Sequence, residues 1–141
     1  MTPFSRSPVD APCFRISAAD TNYFVILADP VGDNVSFVTV VEIFEPGGRT
    51  PPNMHRSAWE QFVVLRGNGL AHNGKNATAL HQGDVLVVPP GQEHALENVG
   101  PGKLYCLTTM MPDEDFAALI RRGVPAALDA EDRAVLAGLS A

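Results

Sequence analysis

Residues 46–69, PGGRTPPNMHRSAWEQFVVLRGNG, decide the fold, and residues 83–98, GDVLVVPPGQEHALEN, answer them. In the first stretch Gly47-Gly48 breaks an apolar segment. Thr50-Pro51-Pro52 then holds the chain extended, because the ring fixes φ and the residue before a proline avoids the helical region. Residues 61–65 (QFVVL) read as a strand that stops at Gly67-Asn68-Gly69. In the second stretch, residues 84–88 (DVLVV) form another strand, ended by Pro89-Pro90-Gly91 and followed by His94. Alternation places Asn53 and His55 on one side of an extended segment, and Glu60, Phe62 and Val64 on one face of the strand after it.

Working outward, residues 23–28 (YFVILA) make a continuous apolar run of strand length, ended by Asp29-Pro30 and the Gly32-Asp33-Asn34 turn. Residues 35–45 (VSFVTVVEIFE) form the longest strand candidate. Ser36 and Glu42 share one parity, so Phe37, Thr39, Val41 and Ile43 are expected to face inward, although Val38, Val40 and Phe44 then fall on the outer face. Asn73-Gly74, between residues 70–72 and 77–80, signals a tight hairpin. Residues 94–98 and 104–110 close the β-rich part. After Met111 the pattern turns helical: Asp113-Glu114-Asp115 reads as an acidic first turn that caps a helix, and Arg121-Arg122-Gly123 as its basic end. A second helix is expected to start near Asp129 and run through residues 130–139. Short strands followed by helices indicate an all-β sandwich or barrel with helices packed outside it. The expected division is an N-terminal arm over residues 1–20, a barrel over 21–111 and a helical extension over 112–141.

The chain has 141 residues, enough for one well-packed core, and its hydrophobic fraction of 45% is ordinary for a globular protein. A net charge of −6 with scattered basic residues argues against nucleic acid as a partner. No apolar run approaches a membrane span, and the N-terminus lacks a secretion pattern, so a cytoplasmic protein without membrane attachment is expected. Cys13 and Cys106 have no metal-ligand spacing and are expected as free thiols. Nothing resembles a Ser-His-Asp triad or a phosphate-cradling loop.

Two imidazoles, a carboxylate and an amide oxygen on converging strands would suit a divalent metal of the Fe, Mn, Ni, Zn or Cu kind. Taken singly, each of these residues has an ordinary structural use, and Glu60 alone would pair with Arg56 or Arg66. It is the spacing that speaks. Gly47, five residues, Asn53, one residue, His55, four residues, Glu60, six residues, Gly67 resembles the first cupin motif. Gly83, five residues, Pro89, one residue, Gly91, two residues, His94, three residues, Asn98 resembles the second. The resemblance covers residues 35–110 and implies a small single-domain cupin, an all-β double-stranded β-helix of jelly-roll type with short C-terminal helices following it. It also implies metal ligation by His55, Glu60 and His94.

Asn53 departs from the pattern, since the family usually carries histidine there. The shell becomes two His, one Glu and the Asn53 oxygen, which tilts the expected metal towards Fe or Mn, with Zn or Ni also able to bind. Phe62, Val64, Leu96 and Asn53 are the expected walls of a pocket for a small molecule. The resemblance implies dioxygenase, decarboxylase or isomerase chemistry on a small oxygen-bearing metabolite, and a 2-His-1-Glu face with open positions favours the dioxygenase type. The alternative is a non-catalytic ligand-binding or sensory module with a weakened metal site. His72 and His81 beside turns are expected at the surface, and Trp59 and Cys106 in the core. A homodimer is expected, because the runs YFVILA and VSFVTVV are apolar on both faces. The C-terminal helices could instead cover that surface.

Overall fold

The computed structural model describes residues 1–138. Its ten strands are β1 (Cys13–Arg15), β2 (Asn22–Ala28), β3 (Val38–Phe44), β4 (Trp59–Arg66), β5 (Gly69–Asn73), β6 (Asn76–Leu80), β7 (Val85–Val88), β8 (Ala95–Asn98), β9 (Leu104–Met111) and β10 (Val124–Pro125). A single turn α1 (Pro30–Asp33) follows β2, and the helices α2 (Phe116–Arg121) and α3 (Ala130–Leu136) close the chain. The larger sheet runs β10-β1-β2-β3-β9-β4-β7 and the smaller one β6-β5-β8, with antiparallel pairing throughout. Phe44, Phe62, Val64, Leu104 and Cys106 of the first sheet meet Ala71, Leu80 and Leu96 of the second in one buried cluster, so the two sheets face each other as the walls of a jelly-roll barrel.

The local signals explain the elements. Asn73 and Asn76 pair across the tight turn that joins β5 to β6, with Gly74 at φ +59°. Gly67 sits at φ +98°, and a Cβ there would lie 2.6 Å from the Lys103 carbonyl oxygen, so only glycine lets β4 leave the sheet at that point. On β4, Glu60, Phe62 and Val64 are buried while Gln61 and Leu65 are exposed, the alternation expected of a strand with one face in the core.

Three expectations need correction, and one open choice, what covers the apolar runs, is decided. The inward face of β3 is the opposite one: Val38, Val40 and Phe44 pack inside the barrel, while Val41 and Ile43 face outward. The error came from treating Glu42 as a solvent marker, when it is only 4% exposed. Trp59 is not in the core; it lies on the outer face of β4 opposite Met111 and is 55% exposed. The double-sided apolar runs do not demand a second subunit. Tyr23, Val25, Val41, Ile43 and Tyr105 are covered by Leu128 beside α3 and by Val135 and Leu136 within it. Finally, His72 is half-buried and bonds Glu97 at 2.9 Å, whereas His81 is exposed as expected.

Helix α3 begins with a full capping box, in which Asp129 accepts from the Asp132 N–H and Asp132 reaches back to the Asp129 N–H. The expected helix residue Leu139 lies outside the described residues. No helix among the described residues is long and apolar enough to cross a membrane.

Candidate metal centre

Three side chains named by their spacing converge at one mouth of the barrel. His55 stands in the extended segment before β4, Glu60 near the start of β4, and His94 just before β8. Their elements are tied by backbone. Asn53 and His94 exchange both hydrogen bonds, at 2.9 and 2.8 Å, and the Gly91 N–H donates to the His55 carbonyl at 2.8 Å. The two loops carrying the histidines are therefore locked together before any ligand arrives.

Both imidazole Nε2 atoms point at the same oxygen, Glu60 Oε1, at 3.0 Å from His55 and 2.8 Å from His94. One donor atom from each residue lies within 4.8 Å of the others. His94 Nδ1 lies 3.0 Å from the Gln92 carbonyl, which can only accept, so the proton sits on Nδ1. In the neutral ring that leaves the Nε2 lone pair facing a carboxylate, an arrangement that a cation between them or a proton on the ring resolves. The donor set fits a divalent metal. Without a cation the centre answers by protonation. Burial pushes the Glu60 carboxyl up, but the hydrogen bonds from His55 and His94 outweigh it and hold it below the usual range. Burial pulls His94 down, and its bonds to Glu60 and the Gln92 carbonyl more than reverse that.

The centre opens on a cavity of about 580 Å³. Asn53, Phe62 and Leu96 line it, as the sequence led one to expect. Val64 does not; it packs deeper, in the buried cluster with Phe44 and Leu104. Asn53 is an exposed lining residue whose side chain makes no hydrogen bond among the described residues.

Two carboxylates stand where the sequence does not lead one to expect them. Glu114 does not cap α2; Asp113 does that, accepting from the Ala117 N–H at 3.0 Å. Glu114 instead accepts the N–H groups of Arg56 (3.1 Å), Ser57 (2.7 Å) and Ala58, clamping the loop that joins His55 to Glu60. The bond from Ser57, with those from Ala58 and Arg56, holds its carboxyl below the usual range. Its backbone is left-handed at φ +50°, next to Asp115 at +63°, a local strain that the three bonds offset. No sequence signal links a residue to backbone donors more than fifty positions away. The second carboxylate, Glu42, could have been found: an acid in the middle of an apolar strand is a signal in itself.

Comparison with known proteins agrees with this architecture. Residues 40–110 match the cupin domain family. A germin-like protein of Arabidopsis thaliana (subfamily 1 member 7) is 38% identical over 78 residues, which is 49% of this chain and 34% of that protein. An oxalate-binding protein of Thermotoga maritima is 27% identical over 66 residues, covering 47% of this chain and 54% of the relative. The chain thus spans between about a third and a half of the length of these curated relatives. Among solved structures, a predicted oxalate decarboxylase from Thermotoga maritima superposes with a TM-score of 0.68 at 21% identity, covering 78% of this chain and 99% of that one. The matched segment begins in β3 and ends in β9, and it contains every residue of the His–Glu–His convergence: the chain belongs to the cupin family.

Proposed function

We propose that this cupin is a metal-dependent enzyme acting on a small oxygen-bearing metabolite, with His55, Glu60 and His94 as ligands and the Asn53 amide oxygen as a fourth donor. The observation that carries the reading is the convergence of two imidazole Nε2 atoms on one carboxylate oxygen beside a cavity of about 580 Å³. With one carboxylate and one amide oxygen among its donors, the set is harder than three imidazoles, which favours Fe or Mn, while Zn and Ni accept the same geometry. Bound there, such a metal supplies Lewis-acid polarisation of a substrate oxygen and, for Fe or Mn, access to O₂ chemistry. The protein's own part is to hold the His94 imidazole in one tautomer, to keep Glu60 ionised, and to surround the substrate with the apolar walls Phe24, Phe62 and Leu96.

Dioxygenase-like turnover uses the positions that a 2-His-1-Glu face leaves open. Decarboxylation of a small dicarboxylic acid is the variant that the names of the Thermotoga maritima relatives suggest. An oxygen electrode and a CO₂ assay on protein reconstituted with Fe(II) or Mn(II), offered oxalate and a panel of small hydroxy and oxo acids, separate the two. Turnover that disappears in His55→Ala is the expected result. A second reading, a ligand-binding module, draws on Asn53 in place of a histidine and on the oxalate-binding relative. Saturable binding without turnover on any metal would establish that reading instead.

We place the protein in a reducing compartment such as the cytoplasm, consistent with the free thiols of Cys13 and Cys106. A homodimer would form on the outer face of β4 and β7, where Trp59, Val85 and Val87 are each more than half exposed in one row. Light scattering of wild type against Trp59→Glu tests it, with a dimer that becomes a monomer as the expected outcome.

A further inference from the structure

The cavity is lined by a second polar group besides the His–Glu–His one. Glu42 stands between Val40 and Phe44 on the inward face of β3, opposite Phe24 on one side and Cys106 on the other. Both Glu42 and its partner Asn22 line the cavity, and they are 4% and 7% exposed. Asn22 Nδ2 donates to Glu42 Oε2 at 2.7 Å. Among the described residues no donor reaches Oε1, and the sealed side-chain atom without a partner is Thr108 Oγ1, not Glu42 Oε1. Oε1 is therefore open to the cavity. A buried carboxyl with one oxygen left without a partner is costly relative to an apolar side chain at the same place. Packing of β3 would be served better by valine or leucine. Nor is Glu42 a member of the metal centre, whose three donor atoms lie within 4.8 Å of one another without it.

Charge defines the other end of the ligand. A divalent ion against the single charge of Glu60 leaves the His–Glu–His end positive. Arg49 is the permanently cationic side chain among those lining the cavity, and it has no carboxylate partner among the described residues. We propose that the Asn22–Glu42 pair is the specificity-determining pole of the cavity, hydrogen-bonding the far oxygen of a small hydroxy- or oxo-carboxylic acid whose carboxylate lies at the metal end. The inference rests on the metal-centre reading for the carboxylate end, and on the cavity alone for the far end. Burial, with Glu60 nearby, pushes the Glu42 carboxyl up to about 8, so at neutral pH it carries a proton to donate to a carbonyl or hydroxyl oxygen. Phe24, Phe62 and Leu96 supply apolar walls of the same cavity and suit a short carbon chain.

Calorimetric titration of the Mn(II)-loaded protein with the straight-chain alkanoic acids from propanoic to hexanoic, and with the same acids bearing a terminal hydroxyl, tests the proposal. In the wild type the hydroxy acid should bind about 5-fold or more tightly than its parent at the chain length that spans the poles. Glu42→Met should erase that ratio, and Glu42→Gln, which can still accept from Asn22 and donate, should keep most of it. Metal content should be unchanged in both variants. Absence of any hydroxyl preference in the wild type at every chain length overturns the proposal, even if Glu42→Met fails to fold. An unchanged preference in a folded Glu42→Met does the same. If the wild type takes up no metal, the metal-centre reading fails separately, and the same ratio measured on metal-free protein still decides the role of Glu42.

Discussion

Glu60 and Asp132 each anchor a buried polar cluster, and the two clusters differ in what they leave unsatisfied. Asp132 is 1% exposed and accepts from Tyr23 (2.6 Å), Tyr105 (2.7 Å), Lys103 (3.1 Å) and the Asp129 N–H (3.2 Å). Lys103 in turn bonds Asp129 at 2.6 Å and the Tyr23 hydroxyl at 2.9 Å. Every strong donor there has an acceptor inside the protein, and the result is a latch that fastens α3 to the outer face of β2 and β9. Glu60 is nearly as buried, yet its Oε1 is shared by two imidazoles, its neighbours open on a cavity, and the tautomer of His94 aims a lone pair at it. A saturated network holds a fold together. A convergent one beside a cavity offers donor atoms that a cation could take up.

The difference can be broken from either side. The largest effect on stability should come from Asp132→Ala, which leaves the Tyr23 and Tyr105 hydroxyls without their acceptor and Lys103 with only Asp129 and the Tyr23 hydroxyl. Urea unfolding should report a loss of about 3 kcal/mol, while metal uptake stays intact. Glu114→Ala should do the reverse. Releasing the loop at Arg56–Ala58 frees His55 relative to Glu60, and metal affinity should fall about 10-fold or more, read by competition with a chromogenic chelator, while the metal-free protein melts almost as before. A similar fall in melting temperature and no change in affinity would make Glu114 a purely structural clamp.

A smaller effect is expected from pH. Glu42 keeps its proton in the fold up to about 8, against an ordinary value of 4.5, so the folded state binds more protons than the unfolded one between those limits. Stability of the metal-free protein should therefore decline as pH rises through that window and level off above it. Glu42→Gln should flatten the decline, checked by urea unfolding at pH values on either side of the window. His94, also raised, adds to the same trend: its contribution is full below the ordinary histidine range and is lost as pH rises through its folded value. Glu60, held low, acts oppositely, and its contribution is lost only in acid. The smallest expected effect is that of Asn53→His, which supplies a third imidazole and should tighten Zn(II) binding several-fold with little change in fold stability.

The sequence carried the His–Glu–His convergence further than it carried the core. His55, Glu60 and His94 were legible because their spacing is held by glycines and prolines that leave the backbone few choices. Gly91, at φ +81°, is one such position, and its N–H ties the His55 loop to the His94 loop. The parity of β3 was not legible, since both faces are apolar and the marker used to orient it, Glu42, is buried for a reason that only the cavity discloses. Trp59 was misjudged for a related cause: strand alternation set it opposite Glu60, but size and apolarity argued for burial, and alternation won. Glu114 was read from its neighbours in the chain as helix-capping charge, whereas its real partners come from the other end of the barrel mouth. Contacts that long-range folding creates leave no local pattern.

The central claim is that Glu60 gathers a metal site and Asp132 does not. Elemental analysis of tag-free wild type, Glu60→Gln and Asp132→Asn, each reconstituted in parallel with Fe, Mn, Ni and Zn and then desalted, tests it most directly. About one metal ion per chain in the wild type and in Asp132→Asn, with loss in Glu60→Gln, is the predicted result. A wild type that retains no metal, or a Glu60→Gln that retains as much as the wild type, would contradict it.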